Sequence, residues 1–143
     1  MSFDLKIANG DLQIGANGDL QQVTDTDKLT QDVIKIVITP LGGNPWFPWY
    51  GCPVTGALVG NVLSFTFTSA LATSQLNDAL QTLQSWQNAQ ANSGQTVTPA
   101  ELLAAVQQAS VVRSQSDPRY FNIVVKILSK SLQSTTTGFS VGI

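Results

Sequence analysis

Histidine is absent from this 143-residue chain, and cysteine and glutamate occur once each, as Cys52 and Glu101. Without histidine there is no Ser-His-Asp or Cys-His machinery and no imidazole metal site. A lone cysteine gives no CxxC pair, no zinc cluster and no internal disulfide framework, and it suits folding in a reducing cytoplasm. Charge is scarce too: 11% of residues carry one, against roughly 25% in an average soluble domain. The balance is seven basic to nine acidic residues, which argues against a phosphate-backbone binder, so no nucleic-acid partner is expected. No run approaches the ~18 to 20 apolar residues of a membrane span, so no membrane partner is expected. The longest apolar stretch, Val33 to Leu41, is broken by Lys35, Thr39 and Pro40. The N-terminus lacks the basic-then-apolar order of a signal peptide. Asn-X-Ser/Thr sequons, the phosphate-binding GxxxxGK[ST] loop and the GxGxxG fingerprint are all missing, so no cofactor is expected.

The few carboxylates have ordinary explanations. Asp25 and Asp27 are too few for a calcium loop, and helix capping accounts for them. Glycoside hydrolysis needs two carboxylates flanking a cleft. Glu101 falls in the capping box Thr98-Pro99-Ala100-Glu101, which already gives it a role. No catalytic residue and no metal site are expected, and the chain reads as non-enzymatic.

What the sequence does have is 43% hydrophobic residues and about a third of its length in Gln, Asn, Ser and Thr. Between Ile36 and Ala100 the only charged residue is Asp78. Interface cores are depleted in charge and enriched in aromatics, so this stretch is expected to lie against neighbouring subunits.

The length suits a single domain over 1–143, and the patterning predicts an α+β fold. Phe3, Leu5 and Ile7 alternate with polar residues, and Asn9-Gly10 and Asn17-Gly18 are hairpin signals. A three-strand meander over 3–23 is expected. A helix from near Asp27, capped by Asp25 or Thr26, places Leu29, Val33, Ile36 and Val37 on one face. Ile34 and Ile38 widen that face, so burial on more than one side is expected. Pro40 and Gly42-Gly43 stop the helix. Residues 40–61 read as an irregular, uncharged loop holding Trp46, Phe47, Trp49 and Tyr50. Those aromatics either fold over the protein's own core or form a docking surface. Leu71, Leu76, Ala79, Leu80, Leu83 and Trp86 predict a second helix within 62–92, with Phe65 and Phe67 at its start or in a short strand before it. A third helix is expected from Thr98 to about Ser110. Beyond it, Phe121, Ile123, Val125 and Ile127 alternate as the inner face of a strand over 120–132. A last strand, Phe139 to Ile143, completes a C-terminal hairpin in a small mixed sheet. Phe139 and Val141 belong to that end strand, a candidate for pairing with another chain. Asp117-Pro118-Arg119 is the one charged cluster that invites a specific role, since arginine can fork onto a carboxylate or backbone carbonyls; the residues alone favour a local turn with a solvated arginine.

Several of these segments, in this order, resemble a known family. They are Asn17-Gly18-Asp19-Leu20 with Val23, Asp27-Lys28-Leu29-Thr30-Gln31-Asp32-Val33, Thr39-Pro40-Leu41-Gly42-Gly43-Asn44-Pro45, Pro48-Trp49-Tyr50-Gly51 and Asp117-Pro118-Arg119. Together they are similar to the small baseplate wedge proteins of contractile-tailed phages, the baseplate assembly protein W type, some of which carry the older label lysozyme-like. The likeness runs from about residue 3 to 132. It departs at Asp117, where the family usually has glutamate. The resemblance implies a fold similar to the conserved domain of tail sheath proteins and a place at the junction of baseplate and tail tube. It implies a sheath initiator whose exposed strands pair with arms of the first ring of sheath subunits, and it puts Asp117, Pro118 and Arg119 at the contact with other wedge subunits. The implied partners are wedge subunits, the tail sheath protein and tube or hub proteins, with several copies arranged in a ring. The implied location is the tail baseplate of the virion, assembled in the host bacterial cytoplasm. A cell-wall hydrolase, and a tail completion or connector protein, are the alternative readings.

Overall fold

At the first turn, Asn9 and Gly10 both take positive φ, 55° and 80°, the backbone that a tight two-residue hairpin requires. The turn joins β2 (Ile7–Ala8) to β3 (Asp11–Leu12), with Ile7 opposite Leu12. The computed structural model describes residues 2–58 and 65–142. Before the turn, β1 (Asp4–Leu5) pairs instead with β4 (Gln22–Val23), and an isolated bridge joins Ile14 to Leu20. The three expected passes are present, but as two-residue pieces in two small sheets. Only Val23 among their apolar residues is buried; Phe3, Ile7, Leu12, Ile14 and Leu20 stay exposed.

Helix α1 spans Asp25–Ile38. Leu29, Val33, Ile36 and Val37 are buried on one face, as their spacing demands. Each such side chain contributes about 1.5–3 kcal/mol on burial. Neither Asp25 nor Thr26 caps the helix: Thr24 holds the cap position without a side-chain bond. Asp25 accepts a 2.7 Å hydrogen bond from the Thr98 hydroxyl, and the Thr26 hydroxyl donates to Gln133 at 2.5 Å. Burial on a second side comes from Gln31, covered by the N-terminal strands, rather than from Ile38. Ile38 is 54% exposed, and Ile34 and Ile38 line an open groove of about 370 Å³ with Ile7 and Val23.

The segment read as an irregular loop contains a short helix, α2 (Val54–Leu58). Pro53 stands just before it, a position that suits a helix start. Positions 59–64 lie outside the described residues, and with them the end of the expected loop and the beginning of the expected second helical segment. Helix α3 covers Phe65–Asn92, so Phe65 and Phe67 are helical. Leu76, Ala79, Leu80 and Leu83 are buried, whereas Trp86 is 39% exposed.

The third helix does not exist. A single turn of 3-10 helix, Pro99–Glu101, is followed by strand β5 (Leu103–Arg113). The expected capping box is unmade: the Thr98 hydroxyl serves Asp25, and Glu101 is turned inward, 1% exposed. Alanine and glutamine favour a helix here locally, but β6 (Tyr120–Ser129) needs a neighbour, and sheet pairing overrides that preference. Strand β7 (Ser134–Gly142) lies on the other side of β6, in the order β5-β6-β7. Both pairings are antiparallel, so the sheet is not the mixed one expected. Phe121, Ile123, Val125 and Ile127 are buried as predicted. They form one core with α1, α2, α3, Leu103 and Val111, against which Tyr50, Phe139 and Val141 pack half-buried.

Candidate functional site

The aromatic loop is a chain of tight turns. Gly43 N–H bonds to Pro40 O at 2.9 Å, Phe47 N–H to Asn44 O at 3.2 Å, and Tyr50 N–H to Phe47 O at 3.0 Å. Pro45 and Pro48 each fall at the second position of a turn, where their fixed φ is already correct. This spacing puts Trp46-Phe47 and Trp49-Tyr50 at equivalent places on consecutive turns. The loop is closed at its base by a bridge between Pro40 and Cys52 and by a 2.8 Å bond from Cys52 N–H to Thr39 O. Gly51 makes this closure possible. Its φ is 126°, and a Cβ there would lie 2.7 Å from Thr39 O.

Trp49 is the hub of the cluster. It meets Phe47 edge-on at 5.9 Å, Tyr50 edge-on at 6.2 Å, and Trp86 of α3 at 5.8 Å with planes tilted by 56°. These rings and Leu83 wall a cleft of about 260 Å³ whose rim carries Asp32, Lys35 and Asn44. Tyr50 packs on the core, as the first reading of the loop has it, while Trp46 is 86% exposed and stands apart from the cleft. Trp86 completes the cluster and was not singled out as a site residue. Its signal was ambiguous, because a tryptophan on the helical stripe reads as core.

The ion pairs at the rim form a chain. Lys35 sits 2.5 Å from Asp4 and 3.1 Å from Asp32, and Asp32 is 2.8 Å from Lys28. Burial alone would raise Asp4, but hydrogen bonds from Lys35 and Gln31 outweigh it and hold the carboxyl below its ordinary value. Burial would likewise lower Lys35, yet Asp4 and Asp32 bring its ammonium above the usual range. Burial pushes both the Tyr50 phenol and the Cys52 thiol up.

Asp117-Pro118-Arg119 forms the turn between β5 and β6. Tyr120 N–H closes it on Asp117 O at 3.0 Å, with proline again at the second position. Arg119 is bound to its own turn: its backbone N–H, Nε and Nη2 reach the Asp117 carboxylate at 3.0, 3.2 and 3.1 Å. The hydrogen bond from the Arg119 side chain holds the Asp117 carboxyl below its ordinary value. The Arg119 side chain remains 76% exposed. A second arginine, not foreseen, braces the turn. Arg113 Nε donates to Pro118 O at 2.6 Å, and its guanidinium lies 5.9 Å from the Phe121 ring centre. Among the described residues no hydrogen bond, ion pair or ring contact links this turn to the aromatic loop.

Phe139 and Val141 face inward, opposite Ile123 and Phe121 respectively. Their side chains pack half-buried against the core, and β7 presents to its surroundings a backbone edge. Glu101 is held away from any exposed cleft among the described residues. Its Oε2 accepts from the Ser2 hydroxyl, and its Oε1 has no partner.

No family model matches the chain, and no curated protein matches it. Among solved structures of similar fold is a crystal structure from Geobacter sulfurreducens described as a "putative tail lysozyme". The superposition has a TM-score of 0.60 at 12% identity and covers 82% of this chain and 89% of the other. At that identity the likeness is one of fold.

Proposed function

We propose that this chain is a structural, non-enzymatic component of a contractile phage tail: a baseplate wedge subunit that starts sheath assembly by strand pairing. The β7 edge carries the reading. The strand is nine residues long, uncharged and free of proline, and its register with β6 runs without a bulge. Among the described residues no strand pairs with its outer side. Monomeric proteins blunt such edges with charge, proline or bulges. An open one suits a chain that takes up an extended arm through backbone hydrogen bonds. The half-buried Phe139 and Val141 offer apolar surface to alternate side chains of that arm.

The sheath arm is the occupant of β7 in this reading. Other wedge subunits meet the Asp117-Pro118-Arg119 turn and the aromatic loop around Trp46, Trp49 and Tyr50. Tube or hub proteins complete the junction, and the copies form a ring in the virion's baseplate. The fold likeness to the Geobacter protein agrees with a tail component. No helix among the described residues is long and apolar enough to cross a membrane. Tails assembled without this chain should have tubes but no properly nucleated sheath; normal sheaths would overturn the proposal.

The description of the Geobacter protein favours a second reading, a cell-wall hydrolase. Peptidoglycan clearing by the purified chain, lost in Glu101→Gln, would establish it. The burial of Glu101 weighs against that reading.

A further inference from the structure

The two edges of the sheet are treated differently, and α3 makes the difference. Helix α3 runs beside β5 in the opposite sense, with Ser69 near Val111 and Gln84 near Leu103. The lengths match: about 22 Å of helix at 1.5 Å per residue against about 26 Å of strand at 3.3 Å. Gln84 Nε2 donates to Leu103 O at 3.2 Å and Ala104 O at 2.7 Å. Gln87 accepts from Leu103 N–H at 2.9 Å and donates to Glu101 O at 3.2 Å. The Ser69 hydroxyl donates to Val111 O at the far end. Gln84 and Gln87 stand three positions apart, on one face of the helix. Strand β5 also has two register shifts, between Leu103 and Ala105 and between Val106 and Gln108, whereas β7 has none. Bulges disturb an edge as a template for pairing.

We infer that Gln84 and Gln87 are the residues that fix which edge takes a strand. Their amides occupy backbone groups of β5 that an incoming chain would need, and so confine strand addition to β7. This rests on the strand-addition reading of β7, but its test needs no tail component. A chain with one open edge can associate through that edge into pairs and no further. A chain with two can join β7 of one copy to β5 of the next, a head-to-tail contact that grows without closing.

The test is analytical ultracentrifugation of the full chain over a concentration series, with and without Gln84→Met and Gln87→Met, which keep the side-chain length and remove the amides. The wild-type chain should not exceed the mass of a pair, while the double variant should grow to open-ended polymers. A double variant that keeps the wild-type mass, or a wild-type chain that itself polymerises, overturns the inference. Hydrogen exchange on the wild-type chain keeps it testable if the double variant does not fold. The Leu103 amide, held by Gln87, should exchange about tenfold or more slowly than the solvent-facing amides of β7. Equal rates overturn the inference. Normal sheaths in tails lacking the chain would sink the sheath-initiator proposal and leave this asymmetry of edges standing.

Discussion

The indole of Trp49, on the loop after α1, lies 5.8 Å from that of Trp86, on α3. The contact fastens a turn-built loop to the longest helix. Trp86→Ala should therefore loosen the loop as well as remove apolar area. Because Trp86 is 39% exposed, the loss should be about 1–2 kcal/mol, less than for a fully buried aromatic. Denaturant unfolding gives the magnitude. A double-mutant cycle with Trp49→Ala should return about 0.5–1.5 kcal/mol of coupling between the rings.

Gly51→Ala tests the closure of the same loop. An L side chain at φ 126° is strained, and its Cβ would press on the carbonyls of Thr39 and Pro40 at 2.7 and 2.8 Å. A destabilisation of about 1–3 kcal/mol is expected. Gly56→Ala is the control, since nothing among the described residues lies within 4 Å of a Cβ there; a melting temperature lowered equally by both changes would rule out the closure argument.

The N-terminal arm is clamped to α1 by Lys35 and Gln31. Gln31 donates to Asp4 and Leu5 O at 2.8 Å and accepts from Ile7 N–H at 2.9 Å. Asp4 is depressed, so its contribution is present above the ordinary carboxylate value and fades as pH falls below about 4. Lys35 is raised, so its contribution is complete below the ordinary lysine value and is lost only as strong alkali deprotonates it. Across neutral pH the clamp stays shut. Both side chains are about a third exposed, so the effect on global stability should stay under about 1 kcal/mol. Protection of the Ile7 amide, taken relative to the intrinsic exchange rate at each pH, should fall on acidification past that point, and at neutral pH in Lys35→Met. An Ile7 amide insensitive to both changes would mean that the ion pair does not hold the arm.

Arg119→Ala should leave the isolated domain folded with an unchanged melting temperature, because its partners among the described residues are all in its own exposed turn. Under the proposed function it should weaken assembly with other wedge subunits, measured by co-purification. A large fall in melting temperature would show that the arginine serves the fold instead.

The parts of the fold that were legible were those where local pattern and tertiary demand agree. Leu29, Val33, Ile36 and Val37 are spaced for a helix and meet a core that needs one. Phe121 to Ile127 alternate for a strand buried on one face. The loop was read only as irregular, although Pro45 and Pro48 preset φ in two of its turns. The failure at 98–110 has the opposite cause. Thr98-Pro99-Ala100-Glu101 and the alanines after it carry real helical preference, and two bulges blur the strand period of β5. Nothing in that stretch reports the demand of β6 for a partner. Arg113 and Trp86 escaped for a related reason: each gains its role from a residue brought beside it by folding, Pro118 in one case and Trp49 in the other. At Asp117-Pro118-Arg119 the plainer expectation, a local turn with a solvated arginine, is what forms, and the arginine's fork falls on Asp117 of that same turn.

Cys52, the chain's single thiol, is 1% exposed, at the base where the aromatic loop is sewn shut. Its burial turns the fold into its own clock. A thiol reagent can reach the sulfur only when the base of the loop parts, so the rate of labelling counts openings of that seam. No engineered probe is required, and no second sulfhydryl competes for the reagent.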